Sequence, residues 1–131
     1  MRTMLHLPAL LVLLLAASAN GAEPTTPSLA EVQKSLQEEK GILLDVRELR
    51  EWEAGHLQAA QSLPLSELKG AEAEAKLKSL PKDKLIYTHC AVGYRAGVAA
   101  KLLAEQGYKV QPLKTSYQSL VEAGFAEAVK E

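Results

Sequence analysis

The chemistry-bearing residue types converge on one place, the single cysteine, Cys90, with His89 before it and Arg95 five residues on. The intervening residues Ala91, Val92, Gly93 and Tyr94 are small or able to turn, and they lead from a strand-like run into a helix-like one. In an open α/β sheet, ligands bind at the carboxyl ends of strands, where loops turn into helices. Backbone N–H groups of such a turn can aim at one spot, and the helix adds the positive end of its dipole. Both favour a sulfur anion, so Cys90 is the candidate nucleophile. Arginine at a helix start opposes the dipole. Its presence there points to an anion beside it, which makes Arg95 a candidate substrate-binding residue.

Loop length separates two chemistries. Cysteine phosphatases place five residues between Cys and Arg, whereas only four stand between Cys90 and Arg95. The shorter loop encloses a smaller space, suited to one sulfur atom more than to a tetrahedral phosphate.

The elements that must position this loop follow from hydrophobic pattern. Ser28 with Glu31 forms a capping box, and Leu29, Val32 and Leu36 give the following helix an apolar stripe that Gly41 ends. Residues 42–46 and 84–88 are short apolar runs, the pattern of strands buried on both faces. One or two helical turns span 49–54, closed by Gly55. Residues 63–65 suit a short edge strand around Pro64, and a helix runs from Ser66 to Pro81 with Ala71, Leu77 and Leu80. A further helix spans 94–106, with Val98, Ala99, Leu102 and Leu103 at helical spacing. A last strand covers 108–110, and a final helix begins at Thr115 or Ser116. Strands and helices alternate, so the fold class is α/β with a mostly parallel sheet and helices on both faces.

Other titratable and aromatic residues have structural readings. Asp45 suits an ion pair fixing neighbouring loops. For Arg47 two roles stay open, pairing with Asp45 and facing the pocket as a substrate-binding group. Strand alternation turns His89 away from the pocket, toward a hydrogen-bonded packing role. His56 suits the capping of a turn, and Trp52 an anchor in the core.

The chain has 131 residues. Residues 1–19 have the pattern of a secretory signal peptide: Arg2, an apolar run over 7–17, and a small-x-small site at Ala17-Ser18-Ala19. The run is shorter than the roughly 20 residues of a membrane-spanning helix. Export to a periplasmic or extracellular space is the expectation, with no membrane attachment after cleavage. Residues 20–27 read as a linker and 28–131 as one domain. Without Arg2 there are 14 basic against 16 acidic residues, a balance that argues against nucleic acid as a partner. One cysteine cannot form an internal disulfide, so packing alone must hold the fold.

The segment Cys90-Ala91-Val92-Gly93-Tyr94-Arg95 resembles the Cys-x-x-Gly-x-Arg loop of single-domain rhodanese-like sulfurtransferases. Asp45-Val46-Arg47-Glu48, then Glu51-Trp52-Glu53 and Gly55-His56-Leu57, are similar to that family's upstream elements. Leu63-Pro64-Leu65, Tyr117 and Ala123-Gly124-Phe125 follow at matching distances, so the resemblance covers about residues 28–126. It implies a sheet of about five strands and a Cys90 persulfide that takes a sulfane sulfur from a small anion such as thiosulfate. The acceptor would be a thiol, cyanide or a protein, with no metal or organic cofactor. The alternatives are a sulfur carrier or protein-binding module of the same fold, then a cysteine phosphatase or arsenate reductase. The sequence departs from the family at Gln58-Ala59, Gln61-Ser62, Ala96 and Lys114-Thr115-Ser116, positions expected around the pocket rim, where they bear on substrate identity.

Overall fold

The computed structural model describes residues 27–130. The signal-peptide segment, and all of the linker except Pro27, lie outside the described residues. Ten elements follow in order: α1 (Leu29–Gln37), β1 (Gly41–Asp45), α2 (Leu49–Ala54), β2 (Ala60–Ser62), α3 (Leu65–Leu68), α4 (Ala73–Leu77), β3 (Leu85–His89), α5 (Tyr94–Glu105), β4 (Val110–Pro112) and α6 (Tyr117–Glu122).

The strands form one sheet in the order β2-β1-β3-β4, and every neighbouring pair is parallel. Period-two alternation sends side chains to opposite faces. Leu44, Ile86 and Cys90 pack with Leu65, Leu68, Leu77, Ala99 and Leu103 of α3, α4 and α5. Leu43 and Tyr87 pack on the other face with Val32 of α1 and Leu120 of α6. Helices therefore cover both faces, and the α/β reading holds. The chain leaves β1 toward β2 on one side, and β3 lies on the other. The order reverses at the β1–β3 junction, where Asp45 is in register with His89. Ligand sites in such sheets open at that switch point.

Among the described residues the strand count is four, not five. After α6 the chain makes only a single antiparallel bridge, Leu57 to Glu127. It is held by Gln58 N–H to the Ala126 carbonyl and Ala128 N–H to the His56 carbonyl, too short a pairing to form a strand.

Other boundaries also differ. The capping box at Ser28 and Glu31 forms, but α1 stops before Gly41, with Glu39 taking the left-handed turn at φ 58°. Gly41 instead begins β1, where a Cβ would meet the Tyr87 ring at 2.8 Å. Residues 63–65 are no strand. Leu63 and Leu65 donate to the carbonyls of Asp45 and Val46, while Pro64, between them, has no N–H and starts α3. The helix expected over 66–81 is two short ones, interrupted at Gly70, because that stretch has leucines at its ends and only glycine, alanine and charged residues between Leu68 and Leu77. The last strand starts at Val110, because Tyr108 is turned under α4 and donates its hydroxyl to the Leu77 carbonyl at 2.7 Å.

Candidate functional site

Cys90 follows the last residue of β3, and its side chain has no exposed surface. Two backbone N–H groups donate to its sulfur, from Gly93 at 3.0 Å and from Ala96 at 3.3 Å. Gly93 is the residue before α5, so the sulfur sits against the unsatisfied first turn of a 12-residue helix, where donors and the dipole act together. The turn depends on glycine twice over. Gly93 has φ 104°, and a Cβ there would lie 2.8 Å from the Lys114 carbonyl oxygen. The first turn of α5 is pinned from below by the Thr88 hydroxyl, which donates to the Ala96 carbonyl at 2.8 Å. The loop is also tied to α6, through Tyr117 N–H and the Ala91 carbonyl at 3.0 Å.

The candidate residues of the loop are thus brought together, in different roles. Gly93 supplies an N–H and Ala91 a carbonyl anchor, while the side chains of Val92 and Tyr94 point outward, 75 % and 78 % exposed. Arg95 grips a carboxylate of this chain. Its two terminal nitrogens lie 2.5 and 2.9 Å from the two oxygens of Glu51. The anion that offsets arginine at a helix start is therefore Glu51. The Arg95 guanidinium pulls the Glu51 carboxyl down to about 2, and the N–H of Glu48 reinforces it.

Arg47 pairs with Asp45, as one of its two sequence readings has it. Its Nε donates to both oxygens of Asp45 at 3.0 Å, and one Nη donates to Asp45 at 2.7 Å and to the Gly55 carbonyl at 2.7 Å. The Tyr117 ring covers the guanidinium at 4.3 Å. Asp45 also accepts from the Arg47 N–H at 3.0 Å. The pair is buried. Burial, with the neighbouring Glu127 that accepts its hydroxyl, raises Tyr117 to about 12.

His89 lies on this same side of the sheet, but without the hydrogen bonds expected of it. It is fully buried, neither ring nitrogen has a hydrogen-bond partner, and the nearest Asp45 oxygen is 3.7 Å away. Desolvation pushes its pKa down to about 4, so it is neutral at pH 7. His56 closes a helix end, with Nδ1 3.0 Å from the Trp52 carbonyl. Trp52 is not a core residue. It is half-buried and its ring stacks on His56 at 3.6 Å.

Three contributors went unread in the sequence: Glu51, Thr88 and the Ala96 N–H. Glu51 stands within a quoted motif, but nothing in its spacing says that it faces Arg95. Of the departures expected at the rim, Ala96 reaches the sulfur through its backbone, and Lys114 packs on Gly93. Gln58 and Ala59 line a different cavity with Leu57, Phe125 and Ala126.

The rhodanese-like domain family model matches residues 28–123. The uncharacterized protein YqhL of Bacillus subtilis is 37 % identical over 83 residues, covering 58 % of this chain and 62 % of that protein. The putative sulfur carrier protein YrkF of the same organism is 29 % identical over 94 residues, 71 % of this chain and 48 % of that protein. The alignments thus span about half to three-fifths of these relatives. Among solved structures, a rhodanese-related protein from Thermoplasma volcanium superposes with TM-score 0.64 at 27 % identity, covering 78 % of this chain and 95 % of that one. A human single-domain sulfurtransferase gives 0.63 at 28 %, covering 74 % and 95 %.

Proposed function

This chain belongs to the rhodanese-like domain family, and on that premise we propose that it moves a sulfane sulfur through a persulfide on Cys90. The observation that carries the reading is the pair of N–H donors, from Gly93 and Ala96, on one buried sulfur. Main-chain donors so placed stabilise negative charge that develops on the sulfur during transfer.

The Cys90 thiolate attacks the outer sulfur of a donor such as thiosulfate. The donor's S–S bond breaks and sulfite leaves with the bonding pair, so the enzyme gains one neutral sulfur atom. An acceptor thiolate or cyanide then attacks that outer sulfur, and Cys90 departs as the thiolate the N–H groups already fit. The four-residue interval before Arg95 supports sulfur over phosphate, as does the Glu51 carboxylate that occupies the guanidinium a phosphate would need. The signal-peptide pattern of residues 1–19 supports placing this reaction outside the cytoplasm. Cell fractionation tests that placement, and protein retained in the cytosol refutes it.

A second reading, a carrier that loads sulfur and hands it to a protein with little turnover of its own, is favoured by the likeness to YrkF. Incubation with thiosulfate followed by intact-mass measurement tests the common step. One sulfur atom is expected on the native protein and none on Cys90→Ser. No gain, together with hydrolysis of an aryl phosphate, would replace the reading with a phosphatase. Loading without thiosulfate:cyanide turnover selects the carrier.

A further inference from the structure

Beside the Cys90 loop runs an open groove of about 470 Å³, lined by Val92, Gly93, Tyr94, Gly97, Val98 and two lysines, Lys101 and Lys114. We propose that it seats an apolar, acid-flanked segment of an acceptor protein and so brings that protein's cysteine to the outer sulfur; the inference rests on the persulfide reading above.

Its position is the first argument. Gly93 forms part of the groove wall and also donates its N–H to the Cys90 sulfur at 3.0 Å. The same residue therefore walls the groove and holds the buried sulfur, so a chain lying in the groove borders the Cys90 loop.

Gly97 is the second. Glycine inside a helix is destabilising relative to alanine, and packing usually explains its presence. Here no neighbouring atom comes within 4 Å of the Cβ it lacks. The fold does not need this glycine, and the space it leaves open is the groove.

The third argument concerns the occupant. Val92 and Tyr94 are 75 % and 78 % exposed, an apolar rim next to a nucleophile. A small thiol in the groove would leave their outer faces in water, whereas a protein surface covers rim and floor together. Neither Lys101 nor Lys114 is in an ion pair among the described residues. Two free cations bordering an apolar floor complement carboxylates flanking an apolar stretch.

The test uses a synthetic heptapeptide with a central cysteine, leucines beside it and glutamates at both ends. A version with lysines at the ends and 2-mercaptoethanol serve as comparisons. The acidic peptide should discharge the Cys90 persulfide at least about ten-fold faster than the basic one, an advantage that salt erodes. Gly97→Leu, which fills the groove, and Lys101→Glu should each slow the acidic peptide about ten-fold, leaving sulfur loading and discharge to 2-mercaptoethanol unchanged. Equal rates for the two peptides, or indifference to both substitutions, would overturn the proposal. So would glutathione outpacing the acidic peptide with the same sensitivity to Gly97→Leu, which would assign the groove to a small thiol. If the protein takes up no sulfur, the persulfide reading falls by itself. Fluorescence anisotropy of a dye-labelled serine analogue on the unloaded protein then decides the groove: binding weakened by Gly97→Leu upholds it, and no binding rejects it.

Discussion

The two sides of the sheet at the β1–β3 junction are built on opposite principles. On the α5 side the Cys90 sulfur is held by main-chain donors, and the Thr88 hydroxyl anchors the helix start that supplies them. On the α6 side, the buried side chains of Asp45, Arg47 and His89 cluster under the half-buried Tyr117 ring, and the His89 ring nitrogens lack any hydrogen-bond partner. His89 and Cys90 are consecutive, so one strand alternation separates the two environments. Backbone donors cost nothing in side-chain ordering and stay aimed whatever the pH. A side-chain cluster is strong while every charge is matched and fragile when one is lost. The first suits a reacting atom, and the second suits a junction that ties β1, α2 and α6 together.

The most severe way to break this contrast is Asp45→Asn, which leaves the Arg47 guanidinium buried without its carboxylate. A loss of about 3–5 kcal/mol is expected in urea unfolding, from a pair whose side-chain hydrogen bonds go to each other and to the Gly55 carbonyl. Gly93→Ala attacks the other side. The left-handed φ and the approach to Lys114 should cost about 2–3 kcal/mol. Displacement of the N–H donors should slow sulfur loading from thiosulfate by roughly 100-fold, read by stopped intact-mass time points.

His89→Leu sharpens the comparison through pH. The folded-state value of about 4 lies below the ordinary 6.5, so the unfolded chain binds this proton first as pH falls. Wild-type stability should therefore decline from pH 6.5 to 4 by about 2–3 kcal/mol. The leucine variant should lose that component, so a flat difference between the two proteins across this window in denaturant titrations would refute the assignment. Glu51→Gln has the smallest effect. With Glu51 lowered to about 2 from an ordinary 4.5, its contribution is present above pH 4.5 and is lost as pH falls through 2. Because the pair with Arg95 is partly exposed, it should contribute under about 1 kcal/mol at pH 7, measurable as a small shift in Tm that vanishes toward pH 2.

The nucleophile's side of this contrast was the more legible in sequence. Cys90 at a strand end, the glycine turn and the following helix are all local, and local pattern predicts them. The sheet's parallel character and the Ser28 capping box were readable for the same reason. What stayed hidden depends on tertiary approach. Glu51 and Arg95 are 44 residues apart; the helix start pointed to an anion beside Arg95, but nothing local named Glu51 as that anion. Arg47 had two open roles because a strand-end arginine can turn either way; Asp45 two residues earlier and the Tyr117 ring from α6 decide it. Trp52 was placed in the core on its size, yet its partner is His56 at the end of its own short helix. The stretch 66–81 misled for a different reason: helix-forming residues with little to bury between Leu68 and Leu77 do not sustain one helix.

The use of amide hydrogens to hold the Cys90 sulfur has a consequence for how such a protein can diverge. The cradle around the sulfur is encoded in the path of the main chain, which needs glycine at position 93 and little else from the loop's side chains. Val92 and Tyr94, which face outward, can be exchanged by drift or selection with the sulfur still held. A lineage could therefore change the molecule it serves one exposed residue at a time, without passing through an inactive ancestor.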